Sequence, residues 1–175
     1  MIPLTGILLV GGASSRFGSS KALAPFRGET LAARGHRLLT EACDEVLVVG
    51  KAGELEGLPF AVVDDGTDDR APVFGLIAGL RLASHEHVVA LPVDVPLVTS
   101  AVLRALGEAG AVPSERIPLP GGYPRSLLPE LERRVVSGHR SLRGVNTTVL
   151  DVPESMLADA DTPEELAALA SAEAR

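Results

Sequence analysis

Residues 4 to 21 read Leu-Thr-Gly-Ile-Leu-Leu-Val-Gly-Gly-Ala-Ser-Ser-Arg-Phe-Gly-Ser-Ser-Lys, and no other stretch restricts the fold as strongly. The run from Ile7 to Val10 is short and wholly apolar, the pattern of a strand buried on both faces. It opens at once into a loop of Gly, Ser and Ala that holds Arg16 and Lys21. Small residues let backbone N–H groups approach anionic oxygens, and the two cations neutralise the remaining charge, so the loop suits a polyphosphate. It is not a P-loop, because Gly18 is followed by Ser19 and Lys21 comes two residues late; no triplet fits the G-x-G-x-x-G fingerprint either. The competing reading is an ordinary strand-to-helix turn rich in small residues. Against it stands one of only two lysines in the chain, placed in this loop.

The rest of the chain alternates strand and helix patterns. Leu31, Gly35, Leu38, Leu39 and Ala42 form a helical stripe, with a start near Thr30, and Glu45 to Val49 follows as a strand. Phe60 to Val63 reads as a short strand ending in Asp64-Asp65. Pro72 opens a helix in which Leu76, Ile77 and Leu80 share a face. His87 to Leu91 is the next buried strand, and Thr99 or Ser100 caps a helix carrying Val102, Leu103 and Leu106. This order predicts one α/β domain over 1–175, Rossmann-like, with a mostly parallel central sheet between two layers of helices. The region 111–125 predicts one or two short strands and a loop. After it come a helix over 127–136, a helical turn over 141–145 and a strand over 147–152. Thr162-Pro163-Glu164-Glu165 starts a last helix, with Thr as cap and acids at its positive end.

Composition excludes several functions. Aromatic residues make up 3% and Trp is absent, so no stacking platform for single-stranded nucleic acid exists. The net charge of −7 likewise opposes a nucleic-acid binder. Fourteen of the sixteen basic residues are Arg, which reads as compositional drift. Cys43, alone, permits no intramolecular disulfide and reads as a small core residue at a helix end. His85 and His87 read as surface residues at the end of the sheet away from the glycine-rich loop. No apolar run is long enough to span a membrane and no basic leader precedes the first strand, so the expectation is a soluble, cytoplasmic protein.

Ligands of open α/β sheets bind outside the carboxyl ends of the strands. Asp64-Asp65 and Asp94 stand at such ends. Asp94 follows a wholly apolar strand in a turn stiffened by Pro92 and Pro96, and a hard carboxylate there suits Mg²⁺ shared with nucleotide phosphates.

Leu9-Val10-Gly11-Gly12-x-Ser14-x-Arg16-Phe17-Gly18-x-x-Lys21 resembles the L-A-G-G-x-S-x-R-M-G-x-D-K signature of the molybdenum cofactor guanylyltransferases. Phe17 stands in place of Met and Ser20 in place of Asp. Pro92-Val93-Asp94-Val95-Pro96 resembles the family's P-C-D-x-P, whose Asp holds magnesium. Val62-Val63-Asp64-Asp65 aligns with a strand-end aspartate that recognises guanine, best placed on Asp65. Ala71-Pro72-Val73-Phe74-Gly75 resembles G-P-L-A-G with its first Gly lost. An Asn that often follows the second strand in the family is replaced by Val49 or Gly50. Asp159-Ala160-Asp161-Thr162-Pro163 resembles N-x-N-T-P, but its acids match the D-x-D-T-P of related cytidylyltransferases. Asp161 is therefore either a second metal ligand or the acidic lead-in to a helix.

The resemblance implies transfer of GMP from GTP to the terminal phosphate of molybdopterin, with release of pyrophosphate. It assigns Arg16, Lys21 and Asp94 to catalysis, and Leu9, Val10, Gly11, Gly12, Lys21, Asp65 and Asp94 to the nucleotide. Mg²⁺ would sit on Asp94, with Asp161 as an alternative second ligand. It also implies GTP and molybdopterin as partners and transient contact with other proteins of the cofactor pathway. Tyr123, Arg125 and Arg140 are candidate acceptor contacts, but each reads first as a surface residue. The alternatives are a cytidylyltransferase for the same cofactor, another small-molecule nucleotidyltransferase, and a non-catalytic nucleotide-binding protein.

Overall fold

The computed structural model describes residues 2–11, 20–51, 53, 55 and 57–172. Its first strand, β1 (Leu4–Leu9), is buried along its whole length. A 3-10 turn (Lys21–Leu23) leads into a small antiparallel hairpin, β2 (Pro25–Phe26) and β3 (Glu29–Thr30), followed by α1 (Leu31–Ala42) and β4 (Glu45–Gly50). Next come β5 (Val63–Asp64), α2 (Pro72–Leu82), β6 (His87–Pro92) and α3 (Ser100–Ala109). The remainder adds β7 (Gly121–Gly122), α4 (Leu128–Val136) and α5 (Pro163–Ala172). The strand order is β5-β4-β1-β6-β7, and only β7 runs antiparallel. This is the mostly parallel α/β sheet that the alternation predicts. No described helix is long and apolar enough to cross a membrane.

Side chains of β1 alternate between two cores. Leu4 and Leu8 join Leu31 and Leu39 of α1, Leu103 and Leu106 of α3 and Leu166 of α5 on one face. Ile7 and Leu9 join Leu76, Ile77 and Leu80 of α2 and Leu131 of α4 on the other. The helices lie close because glycines face the strand. A Cβ on Gly35 of α1 would meet Leu8 at 2.6 Å, one on Gly79 of α2 would meet Ile7 at 2.5 Å, and one on Gly107 of α3 would meet Leu4 at 2.5 Å. Each large β1 side chain thus fills the notch of a missing methyl group, which is how interiors reach crystal-like density.

Three local expectations of secondary structure are corrected. The expected strand over 60–63 reduces to Val63–Asp64, paired only through Val49↔Val63 and Gly50↔Asp64. Phe60 instead stacks on His36 of α1, with ring centroids 4.4 Å apart, so this stretch gains burial by side-chain packing without a ladder. The expected strand over 147–152 is a single bridge, Val112↔Val149, because Ser114, which would carry the next parallel rung, instead bridges to Ile117. The turn at 141–145 is not helical and closes by one bond from Val145 N to Leu142 O, 3.2 Å. The β2–β3 hairpin escapes the helical periodicity; its turn places Arg27 (φ 51°) and Gly28 (φ 87°) in the left-handed region, the geometry of a tight hairpin. Within 111–125, β7 and the bridge Ser114↔Ile117 supply the short pairings expected.

At the amino edge of the sheet, Glu45 gathers a polar cluster. Its carboxylate accepts from the Thr5 hydroxyl (2.6 Å), the Ser84 N–H (2.9 Å) and the Ser84 hydroxyl (2.8 Å). The Thr5 oxygen in turn meets His85 Nδ1 at 3.0 Å. His85 and His87 are therefore half-buried rather than surface residues. Cys43 caps the end of α1, half-buried, and its thiol is pushed up to about 12 by burial, so it is an inert packing group.

Two outcomes follow. Gly79→Ala should destabilise the protein by about 1–2 kcal/mol, read as a lower urea midpoint: crowding against Ile7 outweighs the helix propensity that Ala gains. Burial alone would raise the Glu45 carboxyl, but the bonds from Thr5 and Ser84 hold it below its ordinary 4.5. A depressed carboxylate contributes stability above its unfolded pKa and loses it as pH falls through the folded one. The gap in urea midpoint between wild type and Glu45→Gln should therefore close between about pH 5 and pH 3.

Candidate functional site

The carboxyl edge of the sheet is where the sequence-predicted residues meet. β1 is the central strand, so its end is flanked by β4 on one side and β6 on the other. Val10 N donates to Val49 O at 2.9 Å, and Val93 N donates to Leu9 O at 3.0 Å, extending both ladders past the strand ends. Two clusters of opposite charges stand on either side of this point.

On the β6 side, the turn after the strand presents Asp94, with Val93 and Val95 buried beneath it. Arg34 of α1 grips the turn by donating from Nε to Pro96 O at 2.6 Å. Lys21 opens the 3-10 turn whose Ala22 is fully buried, and its Nζ donates to Asp94 Oδ2 and to Asp161 Oδ1, each at 3.0 Å. Burial alone would lower the Lys21 ammonium, but Asp94 and then Asp161 hold it above its ordinary value. Lys21 is thus a permanent cation at any physiological pH.

Asp161 reaches this place from the far end of the chain. Glu165 Oε2 accepts from the N–H groups of Asp161 (2.6 Å) and Thr162 (3.0 Å), and Thr162 Oγ1 accepts from Glu165 N (3.2 Å). That reciprocal pair is a capping box at the start of α5. Ala160 N donates to Asp94 O at 3.1 Å, which fastens the segment to the other acidic turn.

On the β4 side lies a narrow cleft, open to solvent, with Leu9, Gly11, Gly50, Lys51, Asp65 and Gly75 among its lining residues. The chain ends of β1 and β4 nearly touch here: a Cβ on Gly50 would meet Gly11 N at 2.8 Å, so that position requires glycine. Asp65 is held by its N–H to Gly50 O at 3.1 Å. Lys51 Nζ donates to Asp65 Oδ1 at 2.6 Å and to the carbonyl of Thr67, and both charged side chains are almost buried, 11% and 7% exposed.

Leu9, Gly11, Lys21, Asp65, Asp94 and Asp161 therefore share one edge, while Val10 turns its side chain into the core beneath it. Gly12 and Arg16 lie outside the described residues. Lys51 is the residue that sequence reasoning passes over. The motif comparison assigns the position after the second strand to Val49 or Gly50, yet the side chain reaching into the cleft is the next one. The signal is present: Lys51 is the other lysine of a chain whose remaining cations are arginines, and it directly follows a buried strand. Tyr123, a candidate acceptor contact, is instead wholly buried and donates to Pro118 O at 2.8 Å. Arg125 and Arg140 are exposed, and Arg140 pairs with Asp69 at 2.9 Å.

A divalent cation fits the first cluster by the chemistry of its donors. Two hard carboxylates converge on one point, and an ammonium already stands between them as the cation they attract. Two carboxylates are few for a dedicated protein cage and suit an ion that completes its shell with water and phosphate oxygens, as Mg²⁺ does.

Residues 6–152 match the family described as MobA-like NTP transferase domain. A molybdenum cofactor guanylyltransferase of Pseudomonas fluorescens (strain Pf0-1) is 33% identical over 184 residues, covering 94% of this chain and 92% of that protein. A second relative of that description, from Pseudomonas putida, is 32% identical over 81% of each chain. Among solved structures, molybdopterin-guanine dinucleotide biosynthesis protein A from Archaeoglobus fulgidus superposes with a TM-score of 0.78 at 22% identity, covering 95% of this chain and 97% of that one. The 2-C-methyl-D-erythritol 4-phosphate cytidylyltransferase of Thermus thermophilus superposes at 0.72 with 16% identity over 98% of both chains, a likeness of fold alone. With a family match running from the third residue of β1 to beyond the Val112↔Val149 bridge, the chain belongs to the MobA-like NTP transferases.

Proposed function

We propose that the protein is a cytoplasmic guanylyltransferase that joins GMP to the terminal phosphate of molybdopterin. The observation that carries this reading is the meeting of Lys21 with Asp94 and Asp161 beside the glycine-lined end of β1. A phosphate oxygen of the acceptor attacks the α-phosphorus of GTP; the new P–O bond forms as the bond to the β-phosphate bridging oxygen breaks, and pyrophosphate leaves with that electron pair. Phosphoryl chemistry of this kind depends on positioning and charge neutralisation more than on covalent help.

Each residue has a task on that scheme. Lys21 and Arg16 neutralise the triphosphate and the leaving pyrophosphate. Asp94, with Asp161 as second ligand, would hold Mg²⁺, which supplies further neutralisation of the phosphate oxygens when bound. Gly11 and Gly12 lay bare backbone against the nucleotide, with Leu9 and Val10 fixing the strand end that carries them. Asp65 reads the base, since one carboxylate can accept from both the N1–H and the 2-amino group of guanine. The negative net charge keeps the task to small molecules rather than nucleic acid.

The position of Asp161 favours a second reading, transfer of CMP from CTP to the same acceptor, because its motif matches the cytidylyltransferase pattern. Titration of the wild-type protein with GTP and with CTP at fixed Mg²⁺ separates the two. A ligand at a hundred times its Kd adds about 2.7 kcal/mol, so the cognate nucleotide should raise Tm by about 5–10 °C for a chain of this size. The expected order is GTP well above CTP; the reverse order would transfer the assignment to CTP.

Lys21→Ala and Asp94→Ala should each lower pyrophosphate release, measured with GTP and molybdopterin present, by at least about a hundredfold, the usual effect of removing one preorganised electrostatic partner. Near wild-type turnover in either variant would remove that residue from the mechanism.

A further inference from the structure

The Lys51–Asp65 pair has unused hydrogen-bonding capacity. Among the described residues, Lys51 donates to two acceptors, Asp65 Oδ1 and the Thr67 carbonyl, and an ammonium has three donors. Asp65 Oδ1 also accepts from Thr67 N at 3.3 Å, so the donors that fix this carboxylate all approach the same oxygen and leave Oδ2 to a ligand. Both side chains line the cleft beside Leu9 and Gly11. The charges are nearly buried, so each needs its partner, and the pair is locked in register by the loop that carries Thr67.

The cleft therefore offers a ligand one acceptor, Asp65 Oδ2, and one donor, Lys51 Nζ, tied together through Oδ1 at 2.6 Å. The matching edge of guanine runs donor, donor, acceptor: the 2-amino group, N1–H and O6. We propose that Lys51 is a specificity-determining residue, which donates its third N–H to O6 of guanine while Asp65 Oδ2 receives both N1–H and the 2-amino group. This inference rests on the guanylyl reading of the same site and adds a contact to it. Asp65 alone tests only the two donors of guanine. With Lys51, the site also requires the O6 acceptor that neighbours N1, and it completes a three-group reading of the base edge. Cytosine has no such sequence: its ring nitrogen is an acceptor, and it would be set against the Asp65 carboxylate. A site built around a polar contact rejects an analogue that lacks it, because its own buried group is then left unsatisfied.

The test uses GTP and 6-thio-GTP, in which sulfur replaces O6 and accepts hydrogen bonds weakly while N1–H and the 2-amino group remain. Dissociation constants are measured by titration calorimetry at fixed Mg²⁺ for the wild type and Lys51→Met. The wild type should bind GTP about tenfold more tightly than 6-thio-GTP, and Lys51→Met should bind the two within about twofold, the loss of one charge-assisted bond. The double variant Lys51→Met/Asp65→Asn leaves no unpaired buried charge, so it keeps the experiment informative where Lys51→Met folds poorly; it should be equally indifferent to sulfur. If Lys51 only neutralises Asp65, its loss weakens both ligands alike and the tenfold gap persists, which would overturn the inference. A wild type that does not distinguish the two nucleotides would overturn it as well. Failure of the underlying reading has a different signature: the wild type would prefer CTP to GTP.

Discussion

Parallel pairing of β1 on both of its edges is the constraint from which the site follows. A strand in the middle of a parallel sheet ends where its two neighbours end, and here Leu9 pairs with Val49 on one side and Pro92 on the other. The residues that follow all three strands are then forced into one small region. Those residues are Gly11, Lys51 and Asp94, and Asp65 joins them because β5 pairs with the last rungs of β4. The same pairing demands complete burial of Leu4, Ile7 and Leu8, each contributing about 1.5–3 kcal/mol of hydrophobic stabilisation. Burial on both faces in turn requires helices close to each face, and the notches at Gly35, Gly79 and Gly107 let them approach. Core packing and site placement are therefore one problem with one solution.

Charge placement at that edge is restrictive in its own way. Asp94 and Asp65 both stand at the mouth of an apolar core, where an unpaired carboxylate is costly. Each is paired with a lysine, and these are the only two lysines in the chain. Arginines act as grips instead, as Arg34 does on Pro96 O and Arg104 Nη2 does on Ile2 O. The division has a physical basis. A guanidinium is a planar fork that fixes geometry, whereas an ammonium is a compact charge whose three donors can be shared among acceptors in different directions. Lys21 divides itself between two carboxylates, and Lys51 between a carboxylate and a carbonyl. What the composition presents as drift toward arginine is better read as the reservation of lysine for sites where a shareable charge is needed.

The sequence carries the central architecture plainly, since it is written in local patterns. Apolar runs at β1, β4 and β6, helical stripes at α1 to α3, and the Thr-Pro-Glu-Glu start of α5 each declare themselves within a dozen residues. The strand-end carboxylates are legible for the same reason: their position is local to the strand that precedes them. The failures are of another kind. Phe60 looks like part of a strand because its partner, His36, is in a distant helix. Tyr123 looks exposed because its neighbours are proline and glycine, yet β7 pairs with β6 and carries the following tyrosine into the second core. Lys51 goes unremarked, since nothing nearby in sequence reveals that Asp65 and Thr67 fold back onto it. Long-range partnership, rather than weak propensity, is what the sequence withholds.

The final helix shows how a weakly packed element can still be tied to the chemistry. Leu166 is the one buried residue of α5, too little to account for a ten-residue helix by burial alone. Leu169 and Ala170 pack half-buried against the same core, and the remaining attachments are polar: Arg27 at the tip of the β2–β3 hairpin donates to the carbonyls of Leu169 and Ala170, and Ala160 ahead of the helix donates to Asp94 O. With the capping box holding Asp161 N, these bonds fix the carboxylate opposite Lys21 while leaving it 58% exposed. An exposed ion pair contributes about 0–1 kcal/mol to stability, so the pairing with Lys21 does not justify such a set of supports. They make sense if the position of Asp161 matters more than its present partner, and a site that collects phosphates and their counter-cation is where a positioned, solvent-accessible carboxylate has most to do.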